Sequence, residues 1–185
     1  MTCIVALIDD TGRAWMGGDR AAQNYSYVDI ISEPKVRRIG RMLIGGSGES
    51  WIINAVLLAT WPTPQPEVEP FGWLVREVTP WLREFLKDMD GMWPNKEEGW
   101  PTCGTSFVLT LGGRLWRIGG QVGVLPLASR YYVDGPPQGD GVLFALERTA
   151  PGMAPAARIE MALSAAAHHA LGVRPPFDII NDEKG

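Results

Sequence analysis

The residue whose type and position most directly suggest chemistry is the threonine at position 2. Thr2 follows Met1, and its small side chain permits removal of that methionine by the usual aminopeptidase. The chain would then begin with a threonine whose free α-amine sits beside its own hydroxyl. Since an α-amine has a pKa of about 7.7–8.0, it is partly neutral at physiological pH and can take the hydroxyl proton. The position allows an amine-assisted nucleophile, but taken alone it favours the alternative that Thr2 merely begins a strand.

Other residue types that often carry chemistry have spacings that argue against it. The glycine-rich turn Gly45–Gly48 lacks the Lys-Ser/Thr ending of a phosphate-binding loop. The adjacent His168 and His169 lie late in a predicted helix, about 100° apart around its axis, so they cannot jointly face one metal. The two cysteines, Cys3 and Cys103, form at most one bridge, and no Cys/His spacing fits zinc. We therefore expect no cofactor and no structural metal.

Length and composition exclude several classes of protein. The 185 residues, 45% of them hydrophobic, suit one globular domain spanning 1–185. A formal net charge of -4 argues against nucleic-acid binding, which favours a basic surplus. The longest apolar runs, such as Ile52–Leu58, fall far short of the ~20 residues that span a bilayer, and no signal peptide is evident. We expect a cytoplasmic protein with neither a nucleic-acid nor a membrane partner.

The elements that must position Thr2 follow from the pattern of apolar residues and turn signals. Short apolar runs separated by Gly-rich or Asp-rich turns predict three hairpins and a closing strand. The strands are Thr2–Ile8 with Arg13–Gly18, Lys35–Ile39 with Met42–Ile44, Thr105–Leu111 with Arg114–Ile118, and Phe177–Ile180. Helical spacing predicts helices over Glu49–Thr60, Phe71–Leu86, Val142–Leu146 and a last helix from Pro155 to before Gly172.

Three stretches read as connections rather than elements. Gln23–Pro34 has no helical period and predicts a loop, Trp61–Pro70 holds four prolines and predicts a linker, and Asp88–Pro101 predicts an irregular loop. Blocks of strands thus alternate with blocks of helices, which favours an α+β layered domain over repeated βαβ units. Each sheet would cover the other with one face and a helix pair with its opposite face.

Four short motifs, in order, resemble the start of a proteasome β-type subunit and of the bacterial protease HslV. They are Thr2–Ala6, Gly17–Ala21, Pro34–Ile39 and Met42–Gly48. The resemblance covers residues 1 to about 60 well and continues loosely through Thr105–Ile118 and the final helix and strand. Both relatives are N-terminal nucleophile (Ntn) hydrolases. The resemblance implies their four-layer αββα sandwich, with two antiparallel sheets between helix pairs.

The resemblance also implies roles for four residues. Thr2 matches the nucleophile, and Lys35 matches a lysine that lowers the pKa of the terminal amine by like-charge repulsion. Asp19 would hold Lys35 in place and balance its charge. The backbone N–H of Gly45 would match the donor that stabilises the tetrahedral intermediate. Read as structure only, Asp19 is a turn residue, Lys35 a surface charge and Gly45 a tight-turn glycine.

Two features of the family are missing. A Gly-Ser-Gly turn normally carries a serine that supports the threonine amine, whereas this chain has Asp134–Gly139 without a serine. An Asp-x-x-Ser pattern normally follows the last helix, whereas this chain has His168–Gly172. Either a substitute such as Asp134, Asp140 or His169 takes over that support, or the subunit has lost activity.

The resemblance implies a threonine hydrolase that cleaves peptide (amide) bonds in peptide or protein substrates without a cofactor. It further implies self-assembly into a homo-oligomeric ring and allows for an ATPase unfoldase as partner. Two alternatives remain open at this point. One is a catalytically silent structural or assembly subunit on the same fold, and the other is an amidase that acts on a small molecule.

Overall fold

The computed structural model describes residues 2–24, 27–63, 69–95, 99–135, 142, 146 and 152–183. Within them, six strands precede the first helix, and two helical regions separate three blocks of strands. The strands are β1 (Ile4–Ile8), β2 (Ala14–Asp19), β3 (Ala21–Asn24), β4 (Tyr27–Ile30), β5 (Val36–Ile39), β6 (Met42–Ser47), β7 (Trp93–Pro94), β8 (Pro101–Thr102), β9 (Ser106–Leu111), β10 (Arg114–Ile118), β11 (Val124–Pro126), β12 (Tyr131–Asp134) and β13 (Phe177–Asn181). The helices are α1 (Ser50–Leu58), α2 (Pro70–Trp73), α3 (Thr79–Asp88) and α4 (Pro155–His169), with a π-helical segment (Leu74–Val78) joining α2 to α3.

The first sheet has the strand order β12-β1-β2-β13, and all its pairs are antiparallel. Every residue of β1 is buried. Ile4, near the start of β1, pairs with Gly18 on one side and with Asp134 on the other. This register places the residues just before Ile4 between the end of β2 and the end of β12.

The second sheet has the order β11-β10-β9-β6-β5 and is also antiparallel. The pairing of β6 with β9 sets Ser47 opposite Ser106, where both strands reach the same end of the sheet. Polar side chains therefore meet at that end, although the strands that carry them are apolar elsewhere.

The alternation of side chains along β1 divides the core. Ile4, Ala6 and Ile8 face the second sheet, whereas Val5 and Leu7 face α4, because successive strand residues point to opposite sides. The layer between the sheets also contains Met16, Val36, Leu43, Val108 and Leu115. On the outer face of the second sheet, the α1–α3 region packs through Ile52, Val56, Leu74, Val78, Leu82 and Leu86. The expected α+β class with two antiparallel sheets is confirmed.

Two connections predicted as loops contain short strands. Gln23–Pro34, predicted as a loop, contains β4 and the end of β3, which form a hairpin with Ala21 opposite Ile30. Neither face of β4 is buried in the core, and Tyr27 and Ile30 are exposed. The hairpin therefore lacks the apolar alternation by which strands are recognised in a sequence. The Asp88–Pro101 loop likewise holds β7, which pairs with β8.

Two predicted segments, a linker and a helix, are only partly covered by the described residues. Within Trp61–Pro70, residues 64–68 lie outside the described part. Pro70 is the first residue of α2. The preceding residue, Glu69, caps this helix, because its carboxylate accepts the N–H groups of Phe71 and Gly72. The predicted helix Val142–Leu146 lies largely outside the described residues. Its two described members, Val142 and Leu146, are buried in the cluster that packs against α4.

Candidate active site

Thr2 lies at the entrance to β1 and is 7% exposed. It lines a cavity of about 620 Å³ on one side and a second cavity of about 210 Å³ on the other. Gly135 packs against its backbone, since a Cβ on Gly135 would lie 2.1 Å from the Thr2 carbonyl oxygen, at a φ of +138°. Only glycine is accommodated at that position, so the turn after β12 holds Thr2 in place.

Asp19 and Lys35 form a buried ion pair next to Thr2. The Lys35 Nζ lies 3.2 Å from Asp19 Oδ1 and 3.1 Å from Oδ2, and it also donates to the Ala21 carbonyl oxygen. Asp19 Oδ1 accepts the Cys3 N–H at 2.9 Å, and Oδ2 accepts the Ala21 N–H at 2.8 Å. The carboxylate therefore connects the lysine to the residue that directly follows Thr2. The structure brings Thr2, Asp19 and Lys35 together.

Burial governs the electrostatics of this cluster. Loss of hydration lowers the pKa of Lys35, and the nearby Asp19 carboxylate opposes that effect. Two carboxylate oxygens and one carbonyl surround Nζ, which suits the three donors of an ammonium group. Burial, followed by repulsion from Asp19, raises the pKa of the Cys3 thiol to about 12. Cys3 is thus a protonated, inert neighbour of the site at neutral pH.

Gly45, in contrast, is not brought to the cavities. It lies in the middle of β6, between β5 and β9. The Gly46 N–H donates to the Lys35 carbonyl on the β5 side, so the Gly45 N–H faces Val108 on β9, because successive residues of an antiparallel ladder alternate in direction. The glycine that lines both cavities beside Thr2 is Gly48, just beyond the end of β6. Gly45, predicted from the sequence to lie at the site, is therefore inside the ladder, and the glycine beside Thr2 is three residues further on.

A second polar group lines the larger cavity on the β12 side of Thr2. Asp134 Oδ2 accepts the Ser47 hydroxyl at 2.6 Å and the Ser106 hydroxyl at 2.5 Å, and the Arg117 Nε lies 3.9 Å from Oδ1. All four residues line the cavity that Thr2 lines. Asp134 was one of three suggested substitutes for the missing serine. Ser47, Ser106 and Arg117 were missed, because no local motif marks residues on three different strands.

The other two suggested substitutes do not enter the site. His169 is exposed at the end of α4 and lines neither cavity, and Asp140 lies outside the described residues. Cys3 and Cys103 are both free and buried. Within the described part of the chain, His, Cys, Asp and Glu side chains nowhere gather in a group that could hold a metal ion.

Comparison with known proteins rests on structure alone. No protein-family model and no curated protein matches this chain. Among solved structures, BPH of Thiobacillus denitrificans in complex with epoxomicin superposes with a TM-score of 0.74 at 13% identity, over 97% of each chain. HslV of Trypanosoma brucei gives 0.64 at 15% identity, over 97% of this chain and 98% of that one.

Anbu, described as an ancestral β-subunit, from Yersinia bercovieri gives a TM-score of 0.63 at 11% identity, over 98% of this chain and 81% of that chain. The fold is therefore the proteasome-like, HslV-like Ntn-hydrolase fold, as the short motifs indicated. At identities this low, the structural similarity establishes the fold but not the activity. The helices of the described residues fall short of the length and apolar character that a membrane crossing requires.

Proposed function

We propose that this chain, whose fold is shared with HslV and Anbu, is an N-terminal threonine hydrolase that cleaves peptide (amide) bonds through Thr2. The observation that carries the proposal is the buried Lys35–Asp19 pair, connected through Asp19 Oδ1 to the Cys3 N–H next to Thr2. Burying an ion pair costs desolvation energy that well-packed apolar residues avoid. A purely structural subunit gains little from placing such a pair beside its second residue.

In the proposed reaction, removal of Met1 frees the α-amine of Thr2. The amine takes the hydroxyl proton, Oγ1 attacks the substrate carbonyl carbon, and a tetrahedral oxyanion forms. Collapse of this intermediate breaks the C–N bond, the leaving amine takes the proton, and an ester on Thr2 remains. The same amine then takes a proton from water, which attacks the ester carbon. Breaking of the C–Oγ1 bond releases the acid, and the proton held by the amine returns to Oγ1. No cofactor takes part in these steps.

Lys35 and Asp19 act on the amine rather than on the substrate. An ammonium group near the terminal amine disfavours its protonated form and so lowers its pKa, which keeps it available as a base. Lys35 lines the smaller cavity together with Thr2. Asp19 holds the ammonium in place and sets the direction of the chain at Cys3.

Gly48 is the proposed oxyanion donor. It follows the end of β6, has a φ of +125°, and lines both cavities beside Thr2. Backbone N–H groups at such turns stabilise the negative charge that develops on the carbonyl oxygen. On the other side of Thr2, Asp134 with its two serine hydroxyls supplies the polar support expected from the missing family serine.

The two cavities favour a chain-like substrate over a small amide. The smaller one, of about 210 Å³, has room for one side chain of a peptide and is lined by both apolar and polar residues, among them Ala22, Ile53 and Asn54. The larger one offers about 620 Å³ on the other side of Thr2, which is room for several further atoms of a peptide. A small-molecule amidase would need only one of them.

Covalent labelling tests this proposal. A peptide epoxyketone bonds to both the hydroxyl and the amine of an N-terminal threonine, so the purified protein should gain the mass of one reagent. Thr2→Ala should gain none, whereas Thr2→Ser should still react. Intact mass before labelling should show a chain that begins at Thr2. A fully retained Met1, or an unlabelled chain that begins at Thr2, would favour the catalytically silent subunit.

We also propose that the layers complete a four-layer αββα sandwich and that the protein self-assembles. Helices pack on the outer face of each sheet, and Val142 and Leu146 are buried in the cluster beside α4, where the second helix of that pair is proposed to lie. Exposed apolar side chains such as Tyr27 and Ile30 on β4 favour contacts between copies. One relative, Anbu of Pseudomonas aeruginosa, is described as a helical assembly. Light scattering after size exclusion gives the molar mass of the particle and so the number of copies in it. An ATPase partner and a cytoplasmic location stay predictions.

A further inference from the structure

Arg117 is the cation on the wall of the larger cavity. It lies on β10 with its side chain 35% exposed, and it lines both the cavity of Thr2 and an adjoining cavity of about 410 Å³. Thr102 and Gly120 also line both spaces, so the two cavities adjoin along this strand end. Among the described residues that line the cavity of Thr2, no other side chain is cationic.

The guanidinium of Arg117 has a buried donor without an acceptor among the described residues. Its Nε is buried and, within the described part of the chain, has no hydrogen-bond partner. Asp134 Oδ1 lies 3.9 Å away, beyond hydrogen-bonding distance. Leaving a buried donor unpaired is costly, particularly for a charged group. The Arg117 side chain as a whole is 35% exposed, so a ligand that supplies acceptors in the cavity would bind through the accessible atoms of the side chain rather than through Nε.

Nearby acidic side chains of the described residues do not accept a hydrogen bond from the Arg117 Nε. Asp134 directs Oδ2 to the hydroxyls of Ser47 and Ser106, which stabilise its charge without Arg117. Glu49 also lines the cavity, but its side chain is exposed to solvent. Lys35 lines the smaller cavity and is already paired with Asp19. Arg117 is thus held only in a long ion pair with Asp134, and its Nε has no hydrogen-bond acceptor within the described part of the chain.

We infer that Arg117 binds a carboxylate of the substrate, and so determines specificity on one side of the scissile bond. The inference rests on the proposed function, since Thr2 lines both cavities and a peptide cleaved there would extend into the larger one, which Arg117 lines. A planar guanidinium matches a carboxylate with two parallel N–H···O bonds. The carboxylate comes from an acidic side chain or from the end of a peptide.

Binding to the full-length Thr2→Ala variant tests the inference without requiring turnover. One set of probes is acetylated, amidated hexapeptides of Ala and Leu, with Glu or Gln scanned through each position. The second set compares the same peptides with free and amidated carboxyl ends. Calorimetric titration should show at least about 10-fold tighter binding of the acid than of its amide counterpart in one set, as expected for charge-assisted hydrogen bonds. The set that shows it identifies the source of the carboxylate.

Variants of Arg117 assign the preference to this side chain. In the Thr2→Ala background, Arg117→Gln should bring the acid-to-amide ratio to about one, and Arg117→Lys, which keeps the charge and loses the planar fork, should retain only part of it. Arg114→Gln, on the same strand but exposed, is the matched control and should leave the ratio unchanged. If Arg117→Gln unfolds, as judged by its melting temperature, the inference is tested on Arg117→Lys instead. Its acid-to-amide ratio should then be lower than that of the variant that keeps Arg117.

Equal binding of acid and amide in both probe sets, no binding of any probe, or an acid preference that survives in Arg117→Gln would overturn the inference. Epoxyketone labelling of the unsubstituted protein separates this failure from failure of the proposed function. Labelling without an acid preference leaves the hydrolase standing and removes the role of Arg117. An acid preference without labelling supports the carboxylate site and removes the hydrolase.

Discussion

The Lys35 Nζ lies 3.1 Å from Asp19 Oδ2, and Asp19 has no solvent-exposed surface. Asp19 also accepts two backbone N–H groups, one from Cys3 and one from Ala21. The pair therefore connects β2 to the segment that enters β5 and holds the residue after Thr2. Loss of either charge would leave the other one buried without an opposite charge.

Asp19→Asn should destabilise the protein by about 3–5 kcal/mol, because it leaves the Lys35 charge buried without an opposite charge. Chemical denaturation followed by circular dichroism measures the change. Asp29→Asn is the matched control, since Asp29 is exposed on β4 and should change stability by no more than about 0.5 kcal/mol. Equal effects of the two substitutions would show that the ion pair contributes little.

Lys35→Met should move the acid limb of the pH profile of kcat/KM upward by about one pH unit. The ammonium disfavours a second positive charge on the Thr2 amine, so its removal raises the pKa of that amine toward or above the ordinary 7.7–8.0. Less free base is then present at pH 7, and the rate there falls. Arg37→Met, two residues away with an exposed side chain, should leave the limb in place. An unchanged limb in Lys35→Met contradicts the proposed role of the ammonium.

Gly135→Ala should both destabilise the fold and reduce labelling at Thr2. The new Cβ would meet the Thr2 carbonyl oxygen at 2.1 Å, and the residue would keep a φ of +138° that L side chains rarely adopt. Overpacking of this kind costs about 1–3 kcal/mol. Gly123→Ala is the control, because a Cβ there has no neighbour within 4 Å. Wild-type melting and labelling in Gly135→Ala would show that this turn does not position Thr2.

The Cys3 thiol should resist alkylation in the native protein up to high pH. Burial raises its pKa to about 12, against about 8.5 in the unfolded chain, so the unfolded state loses this proton first as the pH rises. The contribution of Cys3 to stability is therefore fully present below about pH 8.5 and is lost toward pH 12. Mass spectrometry after iodoacetamide at pH 8 should show no modification without denaturant and two modified cysteines with it. Rapid native modification of Cys3 would contradict its burial.

Several features of the protein followed from local sequence. The apolar runs of β1, β2, β6, β9 and β10 predicted strands, because alternation and turn signals act within a few residues. The β3–β4 hairpin escaped the same reasoning, since its side chains face solvent and carry no such pattern. Thr2, Asp19 and Lys35 could be proposed as a group only through short motifs in the first part of the chain.

The choice between Gly45 and Gly48 needed the register of β6 against its neighbours. The glycine-rich turn offers several candidates in one short segment, and a shift of one residue reverses the direction of an N–H. Only the pairing with β5 and β9 shows which glycine lies inside the ladder and which lies beside Thr2.

The amino-acid sequence by itself determined which residues could form the nucleophile and its ion pair, as well as the class of elements that carry them. The tertiary structure alone decided that Ser47, Ser106, Arg117 and Asp134 face the same cavity as Thr2. Alternation along a strand specifies which face a side chain occupies, but not which distant strand end lies opposite. That placement depends on how the two sheets pack, because their shared core brings together residues as far apart in the chain as Ser47 and Asp134.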